Sequence, residues 1–287
     1  IAPLNHTKKA LTLSIVIPCY NEEKYIGSCL DSIADQQTPP DEVIVVDNNC
    51  TDNTIEIAHK YSFVKVIKES KQGPLHARNA GFMAVSSDLI GRIDADTTIS
   101  NNWVGYAKDR FIEDPELIGL TGTALAQTNA FFKKSPYSTF FPSNFLRYNR
   151  CLYRANTFWG ANQVCRKSDF LNVIDALAKD DLNYHEDIDL SLALISQGAK
   201  IKYDSKLLVT VDGMRMMSFK KNWEYFLKAL RTRKRHKALY RSGSELLFPV
   251  FTPLFSVFLF IFPGSFYFLN VLISPSSTEI DKNTKNS

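Results

Sequence analysis

The chain has 287 residues, of which 45% are hydrophobic and 22% are charged, a balance that excludes a disordered or a collagen-like protein. Lysine and arginine outnumber aspartate and glutamate by 34 to 30, and the net charge of +4 is too small to indicate a nucleic-acid partner. The five cysteines are odd in number and widely spaced, which argues against a disulfide framework and against a structural zinc site.

The amino-terminal part of the chain alternates strand and helix signals from its first apolar run onward. Thr12–Ile17 is almost continuously apolar, which is typical of a strand that is buried on both faces. Asn21 is a suitable cap for the helix that follows, and the Pro39-Pro40 pair ends that helix. Glu42–Val46 then has the composition of a second strand.

The alternation continues through two more strands. The sequence predicts a helix to about residue 61, a third strand over Phe63–Ile67, a helix over Leu75–Val85 and a fourth strand over Leu89–Ile93. This order implies right-handed crossovers and a parallel sheet. Because ligands of such sheets bind at the carboxyl ends of the strands, the polar residues directly after each strand are the candidate site.

The D-x-D sequence after the fourth strand is the most suggestive of these positions. If the intervening backbone is extended, the side chains of Asp94 and Asp96 diverge and serve different partners. One could hold a ribose hydroxyl and the other a divalent cation, because Mg²⁺ and Mn²⁺ prefer oxygen ligands and often bridge to phosphates. The alternative is that both carboxylates cap the helix near Asn101 or are simply solvated.

Six segments together resemble the family-2 glycosyltransferases, in order and in spacing, over roughly residues 12–212. They are SIVIPCYNEEKYIGSCLDSI, EVIVVDNNCTDNT, GPLHARNAGF, IDADT, GANQVCRKSDF and HEDIDLSLALISQGAKIKY. The resemblance implies an α/β protein with a GT-A fold, in which helices flank a Rossmann-like, mostly parallel central sheet. It also implies inverting transfer of a sugar from a UDP- or GDP-linked donor to an acceptor hydroxyl.

The resemblance assigns the first two strand ends to the nucleotide. It implies that Pro18, Tyr20 and Glu22 line the nucleotide pocket near the base and that Asp47 also faces the base. Many family members have a second aspartate where this chain has Asn48, so base recognition departs from the family pattern there. Core packing is the competing explanation for Tyr20.

The next segments are assigned to the phosphates and to a metal. By resemblance, Arg78 lies near the nucleotide and its phosphates, or else it pairs with a surface carboxylate. The D-x-D sequence consists of Asp94, Ala95 and Asp96. By resemblance, Asp94 would contact the ribose, and Asp96 would bind a divalent cation, Mn²⁺ or Mg²⁺, that also binds the diphosphate. A metal ion would stabilise the negative charge of the leaving group.

The last two segments are assigned to the sugars and to catalysis. Gly160, Ala161 and Asn162 match a motif that shapes the donor-sugar and acceptor pocket, although Gly160 could merely relieve a tight turn. Glu186 and Asp187 match the acidic pair that supplies the catalytic base. A hydroxyl is a poor nucleophile, so we expect Asp187 to take its proton during a direct displacement and Glu186 to assist.

The carboxyl-terminal part of the chain predicts membrane attachment. Residues 246–273 contain no charged residue and exceed the roughly 20 residues that a bilayer span needs, either as a single span or as a re-entrant segment. The basic residues before this run favour a cytoplasmic catalytic domain. Membrane attachment in turn favours a lipid-linked or membrane-proximal glycan acceptor. The predicted domains are a catalytic domain over 1–215, a basic amphipathic connector over 216–245, the apolar segment over 246–273 and a polar tail over 274–287.

Other classes of function remain open at the level of sequence. A nucleotidyltransferase would also use a parallel sheet, carboxylates and a metal, but it would need a basic, glycine-rich loop where this chain has the acidic PCYNEEKYIG. A nicotinamide-dependent oxidoreductase would need G-x-G-x-x-G after the first strand, and that motif is absent from the sequence there. A non-catalytic, membrane-anchored scaffold with a glycosyltransferase-like domain is the non-enzymatic alternative.

Overall fold

The computed structural model describes residues 10–127, 146, 150, 155–179, 183–212 and 219–236. Its strands are β1 (Leu13–Cys19), β2 (Glu42–Asp47), β3 (Val64–Lys68), β4 (Leu89–Arg92), β5 (Thr97–Ile99), β6 (Leu117–Gln127), β7 (Gln163–Arg166) and β8 (Lys200–Asp212). The described helices are α1 (Ile26–Ala34), α2 (Thr54–Ala58), α3 (Pro74–Ala84), α4 (Trp103–Glu113), α5 (Lys167–Val173), α6 (Glu186–Ser196) and α7 (Phe219–Arg235), with a short 3-10 turn at Ile174–Ala176.

The first four strands confirm the predicted parallel arrangement. β1 pairs in parallel with β2 on one side and with β4 on the other, and β2 pairs in parallel with β3. Alternate residues of β1 face opposite sides of the sheet: Ile15 and Ile17 pack with Leu30 of α1, whereas Val16 packs with Phe82 of α3. Helices on both faces explain why the strand is apolar at nearly every position.

The second half of the sheet is mixed, which corrects the prediction of a mostly parallel sheet. β7 is antiparallel to both β4 and β6, and β5 is antiparallel to β8. The complete strand order is β3-β2-β1-β4-β7-β6-β8-β5. Since β7 runs opposite to β4, with Gln163 beside Arg92, the segment that precedes β7 lies at the carboxyl end of β4. Residues 160–162 therefore come to the same edge as the ends of β1 and β2.

Helix α7, the last of the described helices, packs on α6 within the same compact unit as the sheet. The hydroxyl of Thr232 accepts a hydrogen bond from the backbone N–H of His185 at 2.8 Å, directly before α6. The buried carboxylate of Asp189 contacts His236 Nε2 at 2.8 Å and Arg235 Nε at 3.3 Å. The helical part of the predicted connector is thus tied to the catalytic domain, and α7 holds the amino-terminal turn of α6.

Within the described ranges, no helix is both long enough and apolar enough to cross a membrane. The predicted apolar segment over 246–273 and the polar tail lie outside the described residues.

Candidate active site

Five of the predicted site residues form what we call the open edge: Pro18, Tyr20, Glu22, Asp47 and Asp96. All of them follow or end a strand and are half-buried or exposed, and Tyr20 is 51% exposed. Tyr20 is therefore not a core residue. Because the parallel strands end together, these side chains lie along one edge of the sheet and leave its surface accessible.

Asn48 shapes the loop beside the open edge rather than facing the edge itself. It is buried, and its amide nitrogen donates to the backbone carbonyls of Glu69 at 3.0 Å and Lys71 at 2.7 Å. Its carbonyl oxygen accepts the N–H of Gly73 at 2.7 Å. An aspartate has no N–H to donate, so the asparagine at this position is what allows the 69–73 loop to close onto β2.

The D-x-D sequence forms the tight connection between β4 and β5. The N–H of Thr97 donates to the carbonyl of Asp94 at 3.0 Å, which closes a turn around Ala95 and Asp96. The helix α4 begins only after β5, at Trp103, and its N-cap residue in the described chain is Asn102, with no capping side-chain bond. The two carboxylates therefore do not cap that helix, and the side chain of Asp94 is 43% exposed.

Behind the open edge lies a group of residues that we call the acid centre: Arg92, Asp94, Gly160, Glu186 and Asp187. All of them are buried except Asp94, which is partly exposed. The Arg92 guanidinium donates through Nη1 to Asp187 Oδ1 and through Nη2 to Asp94 Oδ1 at 3.1 Å and Glu186 Oε1 at 3.3 Å. Arg92 is 3% exposed and Asp187 is 4% exposed. One cation therefore joins the D-x-D sequence to the acidic pair.

Gly160 completes the hydrogen bonding of Asp187. Its backbone N–H donates to Asp187 Oδ2 at 2.8 Å. A Cβ atom on Gly160 would lie 2.6 Å from Asp187 Oδ2 and 2.7 Å from the Cζ of Arg92, too close for any side chain. The glycine is thus required for a close approach of the backbone to the carboxylate, not only for a turn.

The two carboxylates of the acidic pair differ in basicity. Burial raises the pKa of Asp187, with Glu186 adding to the effect and Arg92 opposing it. Burial also acts to raise the pKa of Glu186, but His185, Arg92 and Arg78 outweigh it and lower that pKa to about 2. Asp187 is therefore the more basic member, which suits a group that must accept a proton.

Arg78 lies elsewhere than its predicted position beside the phosphates. It is fully buried, and its Nη1 donates to the backbone carbonyl of Glu186 at 2.6 Å. Its Nε and Nη2 both donate to the amide oxygen of Asn79, at 3.0 and 2.8 Å. Because no part of the guanidinium reaches the open edge, Arg78 supports the start of α6 from behind.

Asn162 and Ala161 are also placed differently from the prediction that they line the sugar pocket. Ala161 is buried in the apolar core. Asn162 is fully buried, donates to the carbonyls of Thr123 at 3.1 Å and Leu207 at 2.8 Å, and accepts the indole N–H of Trp103 at 2.9 Å. Its amide thus joins β6, β8 and α4, and Gly160 alone of the three matched residues contacts the acid centre.

Helix α7 adds one aromatic ring, that of Tyr225, near the acidic pair. Tyr225, which is about half-exposed, has its ring centre 5.6 Å from that of His185. Burial, followed by the negative charges of Glu186, Asp94 and Asp187, raises the pKa of the Tyr225 phenol to about 12. The phenol is therefore close enough to sense the acid centre and stays protonated at neutral pH.

The D-x-D carboxylates fit a divalent cation that takes part of its coordination from a substrate. Among the residues that the structure describes, no three His, Cys, Asp or Glu side chains are grouped closely enough to hold a metal by themselves. Mg²⁺ and Mn²⁺ are commonly held by one or two carboxylates together with substrate phosphates and water. Asp96, half-buried on an accessible loop beside Asp94, provides such an oxygen donor.

Arg92 is the site residue that the sequence reasoning missed. The strand was predicted from its apolar residues, and the arginine within LIGRIDADT was not considered as a site residue. The signal was present, because a charged residue in an otherwise buried strand has to be paired. Its partners could not be named from the sequence, since Glu186 and Asp187 lie 94 and 95 residues further along the chain.

Comparison with known protein families gives a match over most of this fold. The model of the family described as Glycosyl transferase family 2 matches residues 14–174, which is more than half of the chain. The chain is 26% identical over 202 residues to a poly-beta-1,6-N-acetyl-D-glucosamine synthase of Staphylococcus aureus, covering 67% of this chain and 48% of the relative. The Staphylococcus epidermidis protein of the same name is also 26% identical, over 206 residues. The chain thus spans about half the length of the curated relatives it matches.

Solved structures show the same fold at lower sequence identity. A mannosyltransferase from Pyrobaculum calidifontis, solved with GDP-Man and Mn²⁺, superposes with a TM-score of 0.63 at 16% identity, covering 93% of this chain and 77% of that one. S. aureus TarS 1–349, solved with UDP-GlcNAc, superposes with a TM-score of 0.59 at 18% identity, covering 90% of this chain and 76% of that one. These similarities support a GT-A-like fold.

Proposed function

This chain belongs to glycosyl transferase family 2, and we propose that it transfers a sugar from a nucleoside-diphosphate sugar to an acceptor hydroxyl, inverting the anomeric carbon. The observation that carries the proposal is the acid centre, in which a carboxylate with a raised pKa is oriented by two donors beside the accessible D-x-D loop. Family membership also favours sugar transfer over the nucleotidyl transfer and scaffold alternatives.

For the donor, we propose a UDP- or GDP-linked sugar bound along the open edge. Pro18, Tyr20, Glu22 and Asp47 would surround the base, and Asp94 would accept a hydrogen bond from a ribose hydroxyl. Their accessibility at the strand ends supports this assignment. Two solved structures with this fold are complexes with nucleotide-sugars, UDP-GlcNAc for TarS and GDP-Man for the mannosyltransferase.

For the reaction, we propose a single displacement with Asp187 as the base. The ionised carboxylate accepts the proton of the acceptor hydroxyl while that oxygen forms a bond to the anomeric carbon. The bond between the anomeric carbon and the diphosphate oxygen breaks, and the nucleoside diphosphate leaves with the electron pair. Gly160 and Arg92 hold the two carboxylate oxygens throughout. Glu186, whose pKa is about 2, remains ionised beside the base.

We propose Asp96 as the residue that holds Mn²⁺ or Mg²⁺. A divalent cation bound to the donor diphosphate neutralises charge on the leaving group. Asp96 is suited to hold the cation because it is a half-buried carboxylate on the D-x-D loop.

We further propose that the enzyme is attached to the cytoplasmic face of a membrane. The apolar run over 246–273 would be the attachment, as a single span or as a re-entrant segment, and the basic residues of 216–245 would contact anionic headgroups. The proposed domain organisation also includes the catalytic domain over 1–215 and the polar tail over 274–287. A lipid-linked or membrane-proximal glycan is then the acceptor that the attachment favours.

A panel of nucleotide-sugars tests the proposed function. Purified protein with Mn²⁺ or Mg²⁺ is assayed for donor binding by thermal shift and for release of nucleoside diphosphate, with Asp187→Asn as the inactive control. We expect one donor to bind to both proteins and to turn over at a substantial rate in wild type only. Binding of no donor, or equal nucleotide release by wild type and the variant, would refute the proposal.

Truncation after Arg241 tests the attachment independently. Removal of the apolar run should release the protein from the membrane fraction, and because α7 ends at Arg235 the truncated chain keeps the helix that anchors α6. A truncated protein that stays in the membrane fraction at high salt would place the attachment in another segment.

A further inference from the structure

We propose that Arg92 is a positioning residue of the transfer reaction, which orients Asp187 for proton abstraction and links the acidic pair to Asp94 on the donor side. The inference rests on the proposed function, because it gives Arg92 a part in sugar transfer with Asp187 as the base. Arg92 does not contact the reacting atoms; it acts through the carboxylates that it binds.

The geometry around Asp187 leaves its carboxylate little freedom. Arg92 Nη1 donates to Oδ1, and the N–H of Gly160 donates to Oδ2 at 2.8 Å. The two donors come from the end of β4 and from the segment before β7, which meet only because those strands pair in antiparallel register. The sheet itself therefore defines the direction in which the carboxylate presents its lone pairs.

The second terminal nitrogen of Arg92 connects the two sides of the site. Nη2 lies 3.1 Å from Asp94 Oδ1 and 3.3 Å from Glu186 Oε1. The side chain of Asp94 is 43% exposed, whereas Glu186 and Asp187 are buried. A change at Asp94, such as contact with a donor, would therefore be transmitted to the acidic pair through a single rigid guanidinium group.

The charges around Asp187 make Arg92 necessary for ionisation of the base. Three carboxylates surround one guanidinium, so removal of that cation leaves an excess of buried negative charge. The titratable and charged groups that face Asp187 are Arg92 and Asp94 from β4 and its loop, Arg78 from α3, Glu186 and His185 at the start of α6, and Tyr225 from α7. Since Arg78 bonds to a backbone carbonyl and to Asn79, it cannot replace the lost contacts.

We expect that a lysine cannot replace Arg92 in function. A lysine would suffice if Arg92 only compensated charge, so this substitution distinguishes positioning of the carboxylates from charge compensation. The planar guanidinium presents donors in a fixed fork, whereas an ammonium is a single point charge on a flexible stem. Arg92→Lys keeps the positive charge but cannot span all three carboxylates. Arg92→Gln removes the charge and keeps a hydrogen-bond donor.

The kinetic test compares these variants with Arg166→Gln. Arg166, on β7, is a half-buried arginine whose contacts include the backbone carbonyls of Leu117, Phe111 and Pro115, so it controls for the loss of an embedded arginine. For Arg92→Gln we expect kcat to fall by about a hundredfold, the scale of general-base catalysis, with a much smaller change in the donor KM. The acid limb of its pH–rate profile should shift to higher pH, because loss of a cation raises the pKa of Asp187.

For Arg92→Lys we expect the acid limb of the pH–rate profile to lie near that of wild type, because the positive charge is kept. We expect kcat to be at least about tenfold lower than in wild type, because the fork of donors is lost. Arg166→Gln should leave the acid limb where it is in wild type. An Arg92→Gln enzyme with an unshifted limb and a kcat no lower than that of Arg166→Gln would overturn the proposal.

A measurement without substrate separates this inference from the proposed function. The carboxyl carbons of labelled aspartates are titrated by NMR, and the Asp187 signal is identified by its loss in Asp187→Asn. The pKa of Asp187 should be higher in Arg92→Gln than in wild type, and an unchanged value would refute the Arg92 proposal even if the enzyme transfers sugar. If wild type transfers no sugar from any donor, the proposed function fails, and the titration still decides whether Arg92 controls Asp187. If Arg92→Gln does not fold, Arg92→Lys provides the kcat and KM comparison.

Discussion

The open edge and the acid centre lie at the same end of the sheet but are built in opposite ways. Residues of the open edge are half-buried or exposed, and they lie at or just after the carboxyl ends of β1, β2 and β4. The acid centre is almost entirely buried, and its contacts join residues far apart in sequence, 95 positions for Arg92 and Asp187 and 27 for Gly160 and Asp187. The open edge is thus built from short segments at successive strand ends, whereas the acid centre is a buried network that spans distant parts of the chain.

This difference predicts different consequences of substitution. Partly exposed carboxylates contribute little to the free energy of unfolding, so changes at the open edge should affect ligand binding more than stability. Removal of one member of a buried network leaves the others unpaired, so changes in the acid centre should affect both catalysis and stability. The five substitutions below test that contrast, beginning with the largest expected effect.

Asp96→Ala should abolish metal-dependent binding of the donor and leave the fold intact. The carboxylate lies on an accessible loop, and its loss removes the oxygen donor that we assign to the cation. Donor affinity measured by calorimetry, with and without Mn²⁺, checks the prediction, and Asp109→Ala on the exposed face of α4 is the control. A variant whose donor affinity still rises with metal as in wild type would show that another residue holds the cation.

Asp187→Asn should lower kcat by about a hundredfold or more at saturating donor and acceptor, while donor binding survives. The amide keeps the shape of the side chain but cannot accept the proton. Wild-type activity should fall as the pH drops through the pKa of Asp187, which burial raises above its ordinary value, and the variant should lack this acid limb.

Glu186→Gln distinguishes the two members of the acidic pair. The pKa of Glu186 is about 2, so its titration would produce no acid limb in the range where the raised pKa of Asp187 does. Near-normal transfer by Asp187→Asn, together with loss of transfer in Glu186→Gln, would identify Glu186 as the base.

Gly160→Ala should lower kcat by about tenfold and also lower the melting temperature. The added Cβ would lie 2.6 Å from Asp187 Oδ2 and 2.7 Å from Arg92 Cζ, so one contact of the network has to move. Gly27→Ala in α1 is the matched control, because the nearest atoms to its added Cβ are 3.9 Å away. If both variants keep wild-type kcat and stability, the close approach at Gly160 is not needed for the site.

The same contrast explains how much could be predicted from the sequence. Strand ends are local signals, so apolar runs such as Thr12–Ile17 located β1 to β4 and placed Asp47 and Asp96 at the carboxyl end of the parallel strands. The boundaries differ by only a residue or two, as with β3, predicted over Phe63–Ile67 and observed over Val64–Lys68. The resemblance to the glycosyltransferase family added Gly160 and the acidic pair.

What could not be predicted depends on long-range pairing. The antiparallel position of β7 between β4 and β6 brings Gly160 to Arg92, and no local signal indicates which strand β7 will join. For the same reason Asn162 was predicted to line a pocket, although it lies inside the core between β6 and β8. A motif match locates a residue in the chain but does not tell which way its side chain points.

Asn48→Asp should have the smallest effect on transfer, and it tests whether the open edge has any buried support of its own. Asn48 is buried and donates to the carbonyls of Glu69 and Lys71, so an aspartate would face two acceptors with no proton to share. We expect a loss of about 1–3 kcal/mol in the free energy of unfolding, the usual scale for buried groups left unpaired, and a change in donor KM of less than about tenfold.

Urea unfolding and donor kinetics check this prediction, with Asn49→Asp as the matched control. Asn49 also donates to the 70–72 loop, at 3.0 Å to the Ser70 carbonyl and 3.1 Å to Gln72 Oε1, but it does so near the surface. Water can replace its contacts, so the control should lose no more than about 0.5 kcal/mol. Equal stability losses in the two variants would mean that burial does not govern the loop. A donor KM that rises by more than about tenfold in Asn48→Asp, but not in Asn49→Asp, would mean that the 69–73 loop forms part of the donor pocket. The open edge would then depend on a buried network as well.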